Sequence, residues 1–302
     1  LIQQSGAGQL HAAGKAGGAP AFYIERLNAV AEHVRAKGSR PMAWADMVLA
    51  APACLEQASR EIVWVDWNYR AGSEPAASYR LWGHGEQDAG SLDPAWQSEF
   101  GVQAFDDKDR FRPWFYADYL LDRGFDTIIA PAARSGGDNM FLPRPASAEN
   151  ILGAARKQSS TSRLSGMIVT SWALRFPDLA TQLPPLAIPA LLADAPGASL
   201  ETLQPAMTEA AFGVPQPGWF DAWQQLGVSF WFAESGECTL FESGYTGQPP
   251  GPRTRICRRI ADGQLDLDRE REEATARTAA YRSGRDSLAV MLAKAPQCMA
   301  RD

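Results

Sequence analysis

The sequence predicts an α/β protein built on parallel strands, and three observations carry that reading. Short apolar, β-branched runs alternate along the chain with helical stripes, the order that gives parallel strands joined by right-handed crossovers. Each of four such runs ends in polar and aromatic residues, as barrel strands do at the end where function sits. No glycine-rich phosphate loop follows any of them, although a doubly wound sheet accounts for the alternation equally well.

The elements follow in chain order. From Pro20, the apolar positions Phe22, Leu27, Val30, Ala31 and Val34 form a helical stripe that stops near Lys37 and Gly38. Residues 40–46 read as a short buried strand with Trp44 and Asp46 at its far end, and 47–60 as a helix interrupted by Pro52. The clearest strand is 61–69, which ends in Asp66, Trp67, Asn68 and Tyr69. Residues 70–109 hold no sustained period, and Tyr79, Trp82, His84 and Trp96 stand there among acids; a long functional loop is expected. A helix over 113–123 is closed by Gly124, and a third strand over 127–131 leads to a glycine-rich turn with Asp138 and Asn139. After a helix over 148–159, the stretch 166–178 opens as a fourth strand and ends on Trp172 and Arg175. A helix over 179–192 is expected to lie back on that strand.

Beyond Pro196 the pattern turns helical, with helices over 198–212, 218–233 and 266–294 and a Gly/Pro-rich connection over 234–264. The charge run that opens the last helix reads as a solvated face.

Composition narrows the function. A chain of 302 residues with 45% hydrophobic and 21% charged residues is an ordinary globular type able to bury a sizeable core. A net charge of -6 disfavours nucleic acid or an anionic membrane as the main partner. No apolar run approaches the roughly 20 residues that span a bilayer. Cys54, Cys238, Cys257 and Cys298 form no CxxC pair, and His11, His33 and His84 are scattered, so a metal centre has little support. A Cys238–Cys257 disulfide is compatible with the spacing but not implied by it. The chain opens on Leu1 with a Gly-, Ala- and Gln-rich stretch and no signal-peptide pattern, and is expected to begin partway through a longer protein.

The chemistry is expected at the strand ends. Trp44, Trp64, Trp67 and Trp172 supply indole rings on which the apolar faces of a sugar can lie, with packing in the core as the alternative. Asp46 and Asp66 lie beside them, either as a glycosidase carboxylate pair or hydroxyl ligands, or as caps of the following helices. Tyr69 offers a hydroxyl donor. Turn chemistry alone accounts for Asp138 and Asn139 as well as a ligand does. Arg175 can contact a hydroxyl or carboxylate, or pair with Asp178. Ser135, Ser171 and the histidines follow no nucleophile–base order.

Taken together, several segments resemble the second half of the catalytic barrel of family 20 glycoside hydrolases, the β-N-acetylhexosaminidases, of the hexosaminidase D type. They are 31–34 leading to 41–47, 63–69, 119–125 before 130–133, 164–172, and 183–189. The resemblance covers about residues 22–194. It implies a partial (β/α)8 barrel, with these strands as its fifth to eighth, over 1–197 and a helical appendage over 198–302. It also implies removal of terminal N-acetylhexosamine from glycans or glycoconjugates by a retaining, substrate-assisted mechanism without metal or organic cofactor. In that mechanism the substrate's acetamido oxygen attacks the anomeric carbon, an Asp orients it, and an adjacent Glu protonates the leaving oxygen. No Asp-Glu dipeptide occurs in the chain, so the pair is expected upstream of Leu1. By the same resemblance, Trp44, Trp64 and Trp172 would wall the sugar, Asp46 and Asp66 hold hydroxyls, and Tyr69 reach the acetamido oxygen. The chain departs from the family at Ala45, where relatives often carry an acid, and at Arg175, displaced by about a residue.

Two rivals stand beside this reading: a non-catalytic carbohydrate-binding protein on a degenerate barrel, and another (β/α) hydrolase using Asp46 and Asp66 as its own pair. The half-barrel reading adds that the strands at 42–46 and 166–172 each leave an open edge.

Overall fold

The computed structural model describes residues 18–135, 146–172, 182–216, 218–228, 263 and 267–294. Within these the protein is a mixed α/β fold with a parallel sheet and a larger share of helix. The described residues fall into two compact units, one running to Pro131 and including Leu152–Val169, the other Ala132–Ile151 and the chain from Thr170 onward.

The first unit begins with α1 (Gly18–Ala36), which buries Phe22, Ile24 and Ala31. It stops where Gly38 takes φ 78° and its N–H bonds the Arg35 carbonyl, a left-handed cap that glycine adopts without strain. β1 (Met42–Trp44) follows, then α2 (Asp46–Leu49). The single helix expected over 47–60 is instead broken, because Pro52 opens a separate 3-10 stretch, Pro52–Gln57. β2 (Val63–Asp66) is buried along its whole length.

Residues 70–109 are not the long loop expected from the sequence. They form a hairpin of β3 (Ser78–Leu81) and β4 (Gly85–Asp88), then α3 (Pro94–Ala104). The turn works because Gly83 and Gly85 take positive φ, and α3 starts cleanly because Asp93 accepts the Ala95 N–H with Pro94 behind it. Tyr79, Trp82 and Trp96 are buried core residues there, whereas His84 at the turn is exposed. Next come α4 (Phe115–Asp122), capped by Gly124 at φ 76°, and β5 (Thr127–Ile129).

β6 (Ala132–Arg134) and the start of α5 (Ala146–Ser160) belong to the second unit. The rest of α5 and β7 (Gly166–Met167) return to the first, and β8 (Thr170–Ser171) to the second. The continuous strand expected from Gly166 is thus split in two.

The four strands expected from sequence pair in parallel in the order β1, β2, β5, β7, leaving β1 and β7 outermost. Pairing and pleat place Met42, Trp44, Val63, Val65 and Ile128 on one face, and Ala43, Trp64, Asp66, Thr127, Ile129 and Met167 on the other. The second face joins the core of this unit, an aromatic cluster around Phe100, Phe111, Trp114, Phe115, Tyr116 and Tyr119. On the first, Met42 and Trp44 stand 48% and 39% exposed.

The second unit pairs β6 with β8 in parallel, Ala132 opposite Thr170. Its other described elements are helices: α6 (Leu183–Leu186), α7 (Ile188–Asp194), α8 (Leu200–Phe212), α9 (Trp219–Val228) and α10 (Leu267–Lys294). Ser199 caps α8 and Gly213 closes it at φ 77°. α9 and α10 meet at Gly284, where an added Cβ would lie 3.1 Å from the Ala222 carbonyl oxygen.

Candidate functional site

Among the expected site residues, the loop leaving β2 brings the most together. Trp67, half-buried, lies with its ring 4.8 Å from that of Tyr69 and 4.3 Å from that of Trp82. Trp82 is buried in the core and is the floor on which Trp67 rests, with Tyr69 against the other ring. Asn68 between them points inward: its Oδ1 accepts the Arg70 N–H at 3.1 Å and its Nδ2 donates to the Arg80 carbonyl at 3.2 Å. One buried amide thus ties the loop to β3 and fixes two half-exposed aromatic rings beside it. Asn68 and Trp82 were not on the sequence-derived set. The Trp-Asn-Tyr order after a buried strand carries the signal for Asn68, whereas Trp82 could be placed only once the hairpin was known.

Trp64 requires a correction. It does not wall a sugar site, because it is 0% exposed and packs edge-on against Phe125 at 6.3 Å within the core. Asp66 requires one too. At 1% exposure it is turned to the same face as Trp64 and accepts the N–H of Ala117 in the first turn of α4. The carboxylate is buried against the first turn of α4, which is not the helix that follows it in the chain, and is not presented to solvent. Burial pushes its carboxyl up to about 7, the nearby Asp118 adds to the rise, and the Ala117 N–H and Lys157 oppose it. Lys157 is itself held by Asp118 at 2.6 Å.

The surroundings of Asp66 form a buried polar seam. Tyr79, whose hydroxyl is driven well up by burial and by the Asp66 charge, accepts the Trp114 N–H at 3.3 Å. Tyr116 accepts the Trp82 N–H at 3.3 Å. Trp114, at φ 57° and ψ 32°, is a bulky residue in a left-handed conformation, which the Tyr79 and Asp66 contacts at the head of α4 hold in place.

Trp44 ends β1 and is 39% exposed, on the face where its neighbours Val63 and Val65 are buried. Asp46, half-buried, opens α2; its charge adds to burial in raising the hydroxyl of Tyr23 from α1. Comparison of the chain with family models, with curated proteins and with solved structures finds no match. The geometry therefore stands by itself.

In the second unit, Trp172 is 40% exposed and its N–H bonds the Arg134 carbonyl at 3.0 Å. Asp138, Asn139 and Arg175 lie outside the described residues, as do Cys238, Cys257 and Cys298. Cys54 is a buried free thiol. Among the described residues no group of three His, Cys, Asp or Glu side chains converges as a metal site would require, and no helix is long and apolar enough to cross a membrane.

Proposed function

We propose that this chain is the second half of a glycoside-hydrolase barrel of the β-N-acetylhexosaminidase type, acting on terminal N-acetylhexosamine of glycans or glycoconjugates. The observation that carries the reading is the Trp67–Tyr69 pair just beyond the end of β2, with Trp67 resting on Trp82. Indole faces bind the apolar side of a pyranose ring, and a phenol beside them offers a donor to an acetamido oxygen. The exposed outer strand supports it further. Parallel sheets occur almost only with both faces covered; on the face where Val63 and Val65 of β2 are buried, Met42 and Trp44 of outer strand β1 are exposed. Additional strands continuing from the β1 edge would enclose that face as a barrel interior.

In this proposal Trp44, Trp67 and Tyr69 contact the sugar and Asp46 supplies a hydroxyl ligand. The resemblance also assigns Trp172 to the sugar wall, and Arg175, Asp138 and Asn139 are further sugar contacts read from the sequence alone. The acid/base pair of the retaining, substrate-assisted mechanism is placed outside residues 1–302, on a strand beyond β1, since these residues contain no Asp-Glu step. Burial of Asp66 disfavours the rival in which Asp46 and Asp66 form a pair of their own.

The test is release of nitrophenol from nitrophenyl N-acetyl-β-glucosaminide. A gene product extended upstream through the missing strands should turn over, and residues 1–302 alone should not. Full activity from residues 1–302 alone would overturn the placement of the pair. Sugar binding without turnover by the extended protein would favour the non-catalytic carbohydrate-binding reading instead.

A further inference from the structure

A cavity lies in the first unit, lined by none of the residues of the aromatic pair. It has a volume of about 500 Å³ and is bounded by the first turn of α1, the turn and 3-10 stretch after β1, the hairpin tip and α3. That volume falls within the roughly 300–1,000 Å³ of small-molecule sites. Its floor is apolar and rigid: Ala21, Leu49, Trp96 and Phe100 are all buried. The stretch Ala50-Ala51-Pro52-Ala53 forms one wall, and these short side chains leave the space open. Gly83 holds the hairpin tip against this wall, since a Cβ there would come within 3.2 Å of the Ala50 Cβ, and so keeps His84 at the mouth.

Of the two acids lining the cavity, Glu99 is already paired with Arg123 and Asp93 carries the uncompensated charge. Asp93 and Glu99 line the cavity, and no Lys or Arg does. Asp93 accepts the Ala95 N–H as the cap of α3 and has no cationic partner among the described residues. Glu99 is fixed at the wall because its Oε1 receives both the Tyr119 hydroxyl and the Arg123 guanidinium. An apolar, partly aromatic floor below carboxylates complements an organic cation, with the ammonium at Asp93 and its hydrocarbon body on Trp96 and Phe100.

We infer that this cavity binds a small organic amine carrying a flat apolar body. The inference is independent of the sugar reading, because it uses none of the residues assigned there.

The experiment is calorimetric titration of the whole chain, at low ionic strength, with three probes of one size: benzylammonium, benzyl alcohol and benzoate. Benzylammonium should bind most tightly and benzoate most weakly. Asp93→Asn, which still caps α3, should weaken benzylammonium about two- to fivefold and leave benzyl alcohol unchanged. Ala53→Phe, at an exposed wall position, should abolish binding of all three while the thermal melt stays within a few degrees of the parent. Equal binding of the three probes, or an undiminished ammonium preference in Asp93→Asn, overturns the inference. So does benzylammonium binding retained in Ala53→Phe. Should Ala53→Phe melt early, the Asp93→Asn comparison decides alone.

Discussion

Asp66 and Ala117 join β2 to the helix that packs on it: the buried carboxylate at the strand's end accepts the N–H of the third residue of α4. Because it is 1% exposed with its carboxyl raised to about 7, folding favours the protonated form. The unfolded carboxyl titrates near 3.9. The contribution of Asp66 to stability is therefore complete below that value and is lost as the pH rises through about 7. The swing is of the order of 4 kcal/mol at most. Asp66→Asn keeps an acceptor for Ala117 but cannot ionise. Thermal melts of both proteins across pH 4 to 8 should show the parent losing stability relative to the variant as pH rises; a constant difference would contradict the assignment.

Trp64 and Trp67 sit three residues apart and should behave oppositely. Trp64→Ala empties a fully buried position and should cost about 3–5 kcal/mol in denaturant unfolding. Trp67→Ala removes a half-buried ring and should cost less than half of that while abolishing amino-sugar binding. Comparable stability losses for both would mean that Trp67 is a core residue too.

Gly153 of α5 touches the loop after β2 so closely that an added Cβ would lie 2.1 Å from the Gly72 carbonyl oxygen. Backbone cannot yield as a flexible side chain can, so Gly153→Ala should destabilise by about 3 kcal/mol or more despite its gain in helix propensity. A denaturation midpoint equal to the parent's would refute the close approach.

β1 is an outer strand with Met42 and Trp44 exposed. Such an edge is a template for pairing with other chains. Met42→Lys should lower light scattering of the isolated chain at high concentration without lowering its melting temperature. Unchanged scattering would mean that this face does not drive self-association.

The parallel strands were legible because each is a compact apolar run with a turn or glycine on either side, as 63–66 shows. Which way their end residues point was not. Val63-Trp-Val-Asp66 alternates two apolar faces, and only packing of Phe125 and α4 reveals that Trp64 and Asp66 take the inner one. The hairpin escaped because β3 buries just Tyr79 and Leu81, too few for a period to emerge. Helix α3 escaped because its buried residues, Trp96, Phe100 and Ala104, recur only every fourth position amid polar neighbours. That Trp67 and Tyr69 stand only half-buried past the strand's end has a local reason: Asn68 between them is spent on backbone carbonyl and amide groups.

The most direct measurement is calorimetric titration of the folded chain with N-acetylglucosamine and with glucose. The account predicts that N-acetylglucosamine binds more tightly than glucose, and that Trp67→Ala removes this binding while the protein stays folded. Equal affinity for the two sugars, or binding unaltered by Trp67→Ala, would contradict it.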